Sequence, residues 1–282
     1  MSALLDFYAK HSQLIDQIGI NAILALSLSV SLQAGQLALA QAGFMGIAAY
    51  VSAILTTAYH WPLLGTIVAA IVAAAIVAAL LALPVGRLRG VFLAIATIGF
   101  GEIVLAFANN LRVTGGAEGL QGLPNDATTP VIYGALALVA LALVVLSRTK
   151  FALAVALVRE DEYAARGVGI DVANVRLLSL ALGGAIAGLG GALYAHHAFF
   201  ISPNDFGFGR MEQILVWCVI GGVTSPLGAV LGSTLLSILP EAIRFLADYR
   251  EITNGIILLL VVIFAPAGIA GLWRRGALRV RA

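Results

Sequence analysis

Long apolar stretches alternate along this chain with short polar or Pro/Gly-rich breaks. A membrane-spanning helix needs about 20 mostly apolar residues. Cut at its breaks, the sequence predicts nine spans, near 18–34, 42–60, 63–83, 91–109, 130–147, 177–195, 211–224, 226–243 and 253–272. Only Thr224, Ser225 and Pro226 separate the seventh from the eighth. That pair reads as a tight hairpin, as two half-helices or as a re-entrant pair, a broken backbone that persists at membrane depth only where protein or water covers it. The expected fold is all-α: a polytopic membrane helix bundle forming one domain over 1–282.

Small residues recur at four-residue spacing, as in Gly184 with Gly188, Ala187 with Gly191, Gly228 with Gly232 and Ala42 with Gly46. Between helices in lipid there is no hydrophobic drive, so close backbone approach through such faces holds a bundle together. Composition agrees: 61% of the 282 residues are hydrophobic and 11% charged, against about 25% charged in soluble proteins, and the mean hydropathy is +1.02.

The charge is concentrated. The segment 148–176 carries nine of the 30 charged residues, counted as 16 Lys/Arg and 14 Asp/Glu. The five basic residues of this island fall on the same side of the predicted topology as Arg87, Arg89, Arg274, Arg275, Arg279 and Arg281. Lys10, Arg112, Arg210, Arg244 and Arg250 fall on the other, so the positive-inside rule puts the island and the C-terminus in the cytoplasm. Nine spans then place the N-terminus outside. The segment Met1 to Gly19 holds Asp6, Lys10 and Asp16 and lacks the basic start and cleavage site of a signal peptide, so the first span is expected to be retained.

Several chemistries are excluded. The two lysines, Lys10 and Lys150, do not follow glycines, so no phosphate-binding G-x-x-x-x-G-K-[ST] loop exists. No G-x-S-x-G or H-E-x-x-H motif occurs. A lone Cys218 excludes an internal disulfide. His196 and His197 point about 100° apart if helical and read as a polar pair at a membrane face rather than a metal site. No cofactor and no nucleic acid is called for.

Two polar features lie inside the apolar pattern. Glu102 sits within the fourth span, where a carboxylate is costly unless it faces the bundle interior or water. Gln33, Gln36 and Gln41, with Gly35, mark a polar break between the first two spans. Both sets are candidates for a solute path, and interhelical hydrogen bonding is the alternative. Within the island, Phe151 to Arg166 is expected to form one helix stopped at Gly167 and Gly169, with Asp171 as N-cap of the next.

At these residues the chain resembles a known family. The segment REDEYAARGVGIDVANVRLLSLALGGAIAGLGGALYA (Arg159 to Ala195) is similar to the coupling loop and following helix of branched-chain amino-acid ABC importer permeases, in particular the LivM-like subunit. Family-like stretches follow in order: GQLALAQAGFMGIAAY (Gly35 to Tyr50), RLRGVFLAIATIGFGEI (Arg87 to Ile103), TGGAEGL (Thr114 to Leu120), ISPNDFGF (Ile201 to Phe208), VIGGVTSPLGAVLG (Val219 to Gly232) and FAPAGIAG (Phe264 to Gly271). The first departs from the family pattern at Ala38, Ala40 and Gln41, and Thr224 stands in place of a common Gly.

The resemblance implies a multi-pass permease subunit of a bacterial inner membrane, without ATPase activity of its own. Its expected partners are a second homologous permease subunit, two cytoplasmic ATPase subunits and a periplasmic solute-binding protein. It implies that 148–176 is a cytoplasmic coupling loop in which Arg159, Glu160, Asp161 and Glu162 contact an ATPase, Ala164 and Ala165 allow close approach, and Gly167 and Gly169 set the angle. It implies that Gly115, Gly116, Glu118, Pro203 and Asp205 lie where the binding protein docks. Branched-chain amino acids are the expected solute, with urea, short amides or other amino acids as alternatives. A partner-independent secondary transporter or channel, or an assembly subunit, is the reading outside the family.

Overall fold

A computed structural model describes residues 2–222 and 225–242. The helices are α1 (Ser2–Gln33), α2 (Gln41–Tyr59), α3 (Leu63–Val85), α4 (Val91–Asn110), α5 (Thr129–Leu146), α6 (Lys150–Glu160), α7 (Glu162–Gly167), α8 (Val172–Ala198), α9 (Phe208–Gly221) and α10 (Pro226–Ala242). Two short strands, β1 (Leu120–Gln121) and β2 (Phe200–Ile201), pair antiparallel, with Leu120 opposite Ile201.

Six of the helices, α1 to α5 and α8, are long and apolar enough to cross a membrane. They coincide with the first six predicted spans. The next two pieces do not form two straight crossings. Helix α9 has 14 residues, about 21 Å of rise against the roughly 30 Å of a hydrocarbon core, and the chain direction changes by 118° between α9 and α10. The two pack face to face: a Cβ on Gly221 would collide with the Gly228 backbone, and one on Gly232 with the carbonyl of Trp217. Counted as one broken span, the pair brings the described total to seven rather than eight. The predicted ninth span, 253–272, lies outside the described residues.

The centre of the bundle is α1, α2 and α8, and α3, α4 and α5 surround it with largely exposed outer faces. Helix α8 carries a different glycine toward each neighbour. Gly184 and Gly188 meet the alanine stripe Ala70, Ala74 and Ala78 of α3, Gly183 meets Ser27 of α1, and Gly191 meets the Met45 backbone of α2. A Cβ on Gly188 would lie 2.7 Å from the Cβ of Ala74 and 3.1 Å from the carbonyl oxygen of Ala70. The glycine spacing therefore sets how closely the backbones approach, which in lipid is the main source of packing energy.

The connections sort to two ends. At one, the α1–α2 break and the α3–α4 turn lie against the island: Gly35 abuts Arg159, and Arg89 pairs with Glu162. At the other, the α2–α3 turn and the α4–α5 loop share a cleft of about 470 Å3 lined by His60, Trp61, Gln121 and Asp126, and β1 and β2 join.

Candidate functional site

The island folds as a capped elbow rather than as the single helix expected. Asp161 interrupts it with extended backbone (φ −152°, ψ 111°), and its Oδ1 accepts hydrogen bonds from the backbone N–H of Tyr163 at 2.8 Å and Ala164 at 3.1 Å. An Asp able to cap its own following turn competes with helix continuation, so the chain stops and restarts there. Helix α7 ends in a Schellman turn at Gly169 (φ +84°): Gly169 N–H donates to the Arg166 carbonyl and Ile170 N–H to that of Ala165. Gly167 lies inside the helix and meets nothing, so the turn depends on Gly169 alone. Asp171 caps α8 as expected, accepting from Asn174 N–H at 3.1 Å.

Beneath the elbow lies a small core of its own, Val158, Ala165, Val172 and Val175. Ala165 is fully buried there. It gives close approach to α6 and α8 of its own chain and not to a partner, which corrects the expectation for that residue. Ala164 is exposed.

Glu162 anchors the elbow. Its side chain, 10% exposed, accepts from Arg166 at 2.7 Å, Arg89 at 3.0 Å and Arg176 at 3.2 Å, so one carboxylate joins α7, the α3–α4 turn and α8. It is thus an internal brace and not an outward contact. Arg159 pairs with its neighbour Glu160 at 2.8 Å, both at the surface. Sequence reasoning missed the most exposed apolar side chains of the elbow, Tyr163 (74%) and Val168 (72%). Their signal was a large apolar residue at each end of the island's short helix, Tyr163 in its first turn and Val168 just past its last residue.

The α1–α2 break is a buried, non-helical segment. Helix α1 ends in a second Schellman turn at Gly35 (φ +70°), with Gln36 N–H on the Ser31 carbonyl. Leu39 N–H then donates to Thr97 Oγ1 of α4 at 2.8 Å, satisfying backbone that lipid could not. Gln36 and Gln41 are buried, Gln33 half-buried. Gln41 Nε2 donates to Ser31 Oγ at 3.3 Å, and the amide oxygens of both Gln36 and Gln41 lack a hydrogen-bond partner. Glu102 is not with them. It is exposed on the outer face of α4, beside exposed Ile95, Ile103 and Phe107.

At the opposite end the two polar loops come together. TGGAEGL forms two 3-10 turns with positive φ at Gly115, Gly116 and Gly119, and β1 then pairs with β2, which ends on the first residue of ISPNDFGF. Glu118 and Gly115 are exposed, and Gly116 is half-buried. Pro203 is buried, and Asp205 Oδ2 accepts from Ser202 N–H at 2.9 Å, so these two build the turn instead of presenting a surface. His196 is not at a membrane face, as its pairing with His197 suggested. It is fully buried, with Nε2 within 3.1 to 3.4 Å of Ser52, Thr56 and Thr66 hydroxyls, while His197 faces Asp16 at 3.8 Å.

These features define a multi-pass membrane protein with a braced, charged elbow at one end and a paired-loop rim at the other. The chain belongs to the family described as branched-chain amino acid transport system / permease component, whose pattern matches residues 12–266. It is 32% identical to the high-affinity branched-chain amino acid transport system permease proteins LivM of Salmonella typhimurium and of Escherichia coli K12, in each case over 91% of this chain and 67% of the relative. It is 27% identical to the autoinducer 2 import system permease protein LsrC of Yersinia enterocolitica, over 63% of this chain and 53% of that protein. No solved structure matches.

Proposed function

We propose that this chain is the non-catalytic permease subunit of an ATP-binding-cassette importer, forming half of a translocation path for branched-chain amino acids across a bacterial inner membrane. The elbow 148–176 faces the cytoplasm, as does the C-terminus. The observation that carries the reading is the Glu162 brace: one carboxylate ties the charged loop to a core helix and to the α3–α4 turn, as a part that transmits force must be tied. In this reading, Tyr163, Ala164, Val168 and the Arg159–Glu160 pair seat in one of two ATPase subunits, and nucleotide-driven closure is passed through α7 to α8. A rigid element with discrete packing transmits such a displacement because a close-packed core does not deform continuously.

The solute path is assigned to the α1–α2 break, where Gln36 and Gln41 offer amide oxygens, with Gln33 at its edge. Glu102 lies on the face that meets the second permease subunit, because a mid-span carboxylate is costly against lipid. The rim of Gly115, Gly116 and Glu118 receives the solute-binding protein, held in shape by Pro203 and Asp205. A second reading keeps the family and changes the solute, since the LsrC relatives are named for autoinducer 2 import and the binding protein is expected to set specificity.

The test is reconstitution in proteoliposomes. With its partner permease, the ATPases and the binding protein, ATP-dependent leucine uptake is expected, and the chain alone should move no solute and hydrolyse no ATP. Uptake by the chain alone would overturn the proposal in favour of a secondary transporter or channel. Uptake by the full complex of another solute in place of leucine would select the second reading.

A further inference from the structure

Beside the elbow lies a cleft of about 650 Å3 whose lining includes Arg87 and Arg89 of the α3–α4 turn, Arg166 of α7 and Arg176 of α8. The carboxylates among its lining residues are Glu162 and Asp171, so two positive charges are left uncompensated. Asp171 is further engaged as the cap of α8. Arg87 has no acidic partner within ion-pair distance among the described residues. The Nε of Arg176 is buried without a hydrogen-bond partner. A site with surplus guanidinium groups and an unused buried donor is chemically suited to an oxyanion, and a phosphodiester fits the fork geometry of arginine.

The surroundings say which oxyanion. Leu83 lines the same cleft and is the last member of an exposed stripe on α3, Leu64, Val68, Val72, Ile76, Leu80 and Leu83, that runs the length of the helix. At the far end, Trp61 begins an almost purely apolar groove on this face. One ligand that places an anionic head among arginines and an apolar tail along such a stripe is a phospholipid.

We propose that the cleft holds the headgroup of an anionic phospholipid, with an acyl chain lying on the α3 stripe. The phosphate then bridges the α3–α4 turn, the elbow and α8, the same three elements that Glu162 joins, so the lipid reinforces the brace. A soluble phosphate would use the arginines without the stripe, and a zwitterionic lipid would use the stripe without the surplus charge.

The full chain in detergent micelles is the test, with thermal unfolding followed as phosphatidylglycerol, phosphatidylcholine or inorganic phosphate is added. Phosphatidylglycerol is expected to raise the midpoint saturably, and the other two are not. Arg87→Gln, at an exposed position without an acidic partner among the described residues, should leave the midpoint without lipid unchanged and raise the half-saturating mole fraction of phosphatidylglycerol about fivefold, the factor for one basic group at a lipid surface. Arg112→Gln, at the opposite end of the bundle, should respond as wild type. Equal stabilisation by phosphatidylcholine or by inorganic phosphate would overturn the proposal, as would an unchanged response in Arg87→Gln or an equal loss in Arg112→Gln.

Discussion

Arg89 and Glu162 lie 73 positions apart in the chain and meet at 3.0 Å, which ties the turn between α3 and α4 to the short helix α7. The same carboxylate takes Arg166 and Arg176, yet the three contacts differ in worth. The side chains of Arg89 and Arg166 are more than half exposed, so their pairing is screened by water and salt, whereas that of Arg176 is 13% exposed. Most of the energy of the brace therefore resides in Glu162 with Arg176, and the other two arginines fix direction.

Replacing Glu162 tests the brace. Glu162→Ala leaves the Arg176 guanidinium largely buried without its counter-charge, at a cost of up to about 3 kcal/mol by comparison with broken buried pairs. That cost falls on the elbow and not on the lipid-embedded core, so membrane insertion should be retained. Hydrogen exchange of Tyr163 to Val168 should accelerate, and ATP hydrolysed per leucine imported by the reconstituted complex should rise. An unchanged ratio with an unchanged exchange pattern would refute the role given to Glu162.

Gly169 and Gly167 separate two uses of glycine two residues apart. Gly169 has φ +84° and carries the Schellman turn, whereas Gly167 is helical with open space at its Cβ position. Gly169→Ala should cost about 1–2 kcal/mol locally, the price of a left-handed alanine, and lower uptake. Gly167→Ala should be neutral or slightly stabilising, because alanine is the better helix former by about 1 kcal/mol. Parallel uptake assays on the two variants check this, and equal losses would mean that the angle at Gly169 is not what matters.

Helix packing gives a test independent of transport. Gly188→Ala places a Cβ 2.7 Å from that of Ala74, an overpacking expected to cost about 1–3 kcal/mol. Adding Ala74→Gly removes the nearer clash and should recover part of the loss, a coupling that a double-mutant cycle on thermal stability would measure. Strictly additive effects would mean that α3 and α8 do not meet at these two residues.

The bundle was legible because lipid makes hydropathy and small-residue spacing strong signals. The first six spans and the glycine faces of α8 follow from sequence alone. What was not legible depended on contacts far apart in the chain. Nothing near Glu162 announces that Arg89 will reach it, so a buried brace read as an outward contact, and Ala165 read as a point of close approach to a partner because that role came with the family resemblance and not from its own packing. The break at Asp161 had a local signal, an Asp followed by two backbone N–H groups that it caps, but helix-favouring neighbours outweighed it. The broken α9–α10 pair was ambiguous because its two apolar pieces are each short of a full crossing.

The two unpartnered amide oxygens at the α1–α2 break, of Gln36 and Gln41, separate stability from transport. A buried amide oxygen without a partner costs about 1–3 kcal/mol, and Gln41 offsets this with one long hydrogen bond to Ser31. Gln41→Leu removes the orphan together with the bond, so thermal stability should be unchanged or higher. If Gln41 serves the solute path, uptake should nevertheless fall while ATP hydrolysis by the complex continues. Loss of stability in step with uptake would mean that the amide is a packing residue and nothing more.

Glu102 is the twelfth residue of a 20-residue helix, and its face of α4 is exposed among the described residues. Facing lipid, an ionised carboxylate at that depth costs about 2.5–3.5 kcal/mol on insertion scales, while facing a second permease subunit or a shared aqueous path it is solvated. Glu102→Leu should therefore stabilise the isolated subunit in a bilayer and weaken its pairing with the second permease subunit. Thermal unfolding of the subunit alone, set beside the yield of co-purified partner, measures both effects. A variant that gains stability and keeps full pairing would show that α4 does not form the subunit interface, which would then have to be sought on another face of the bundle.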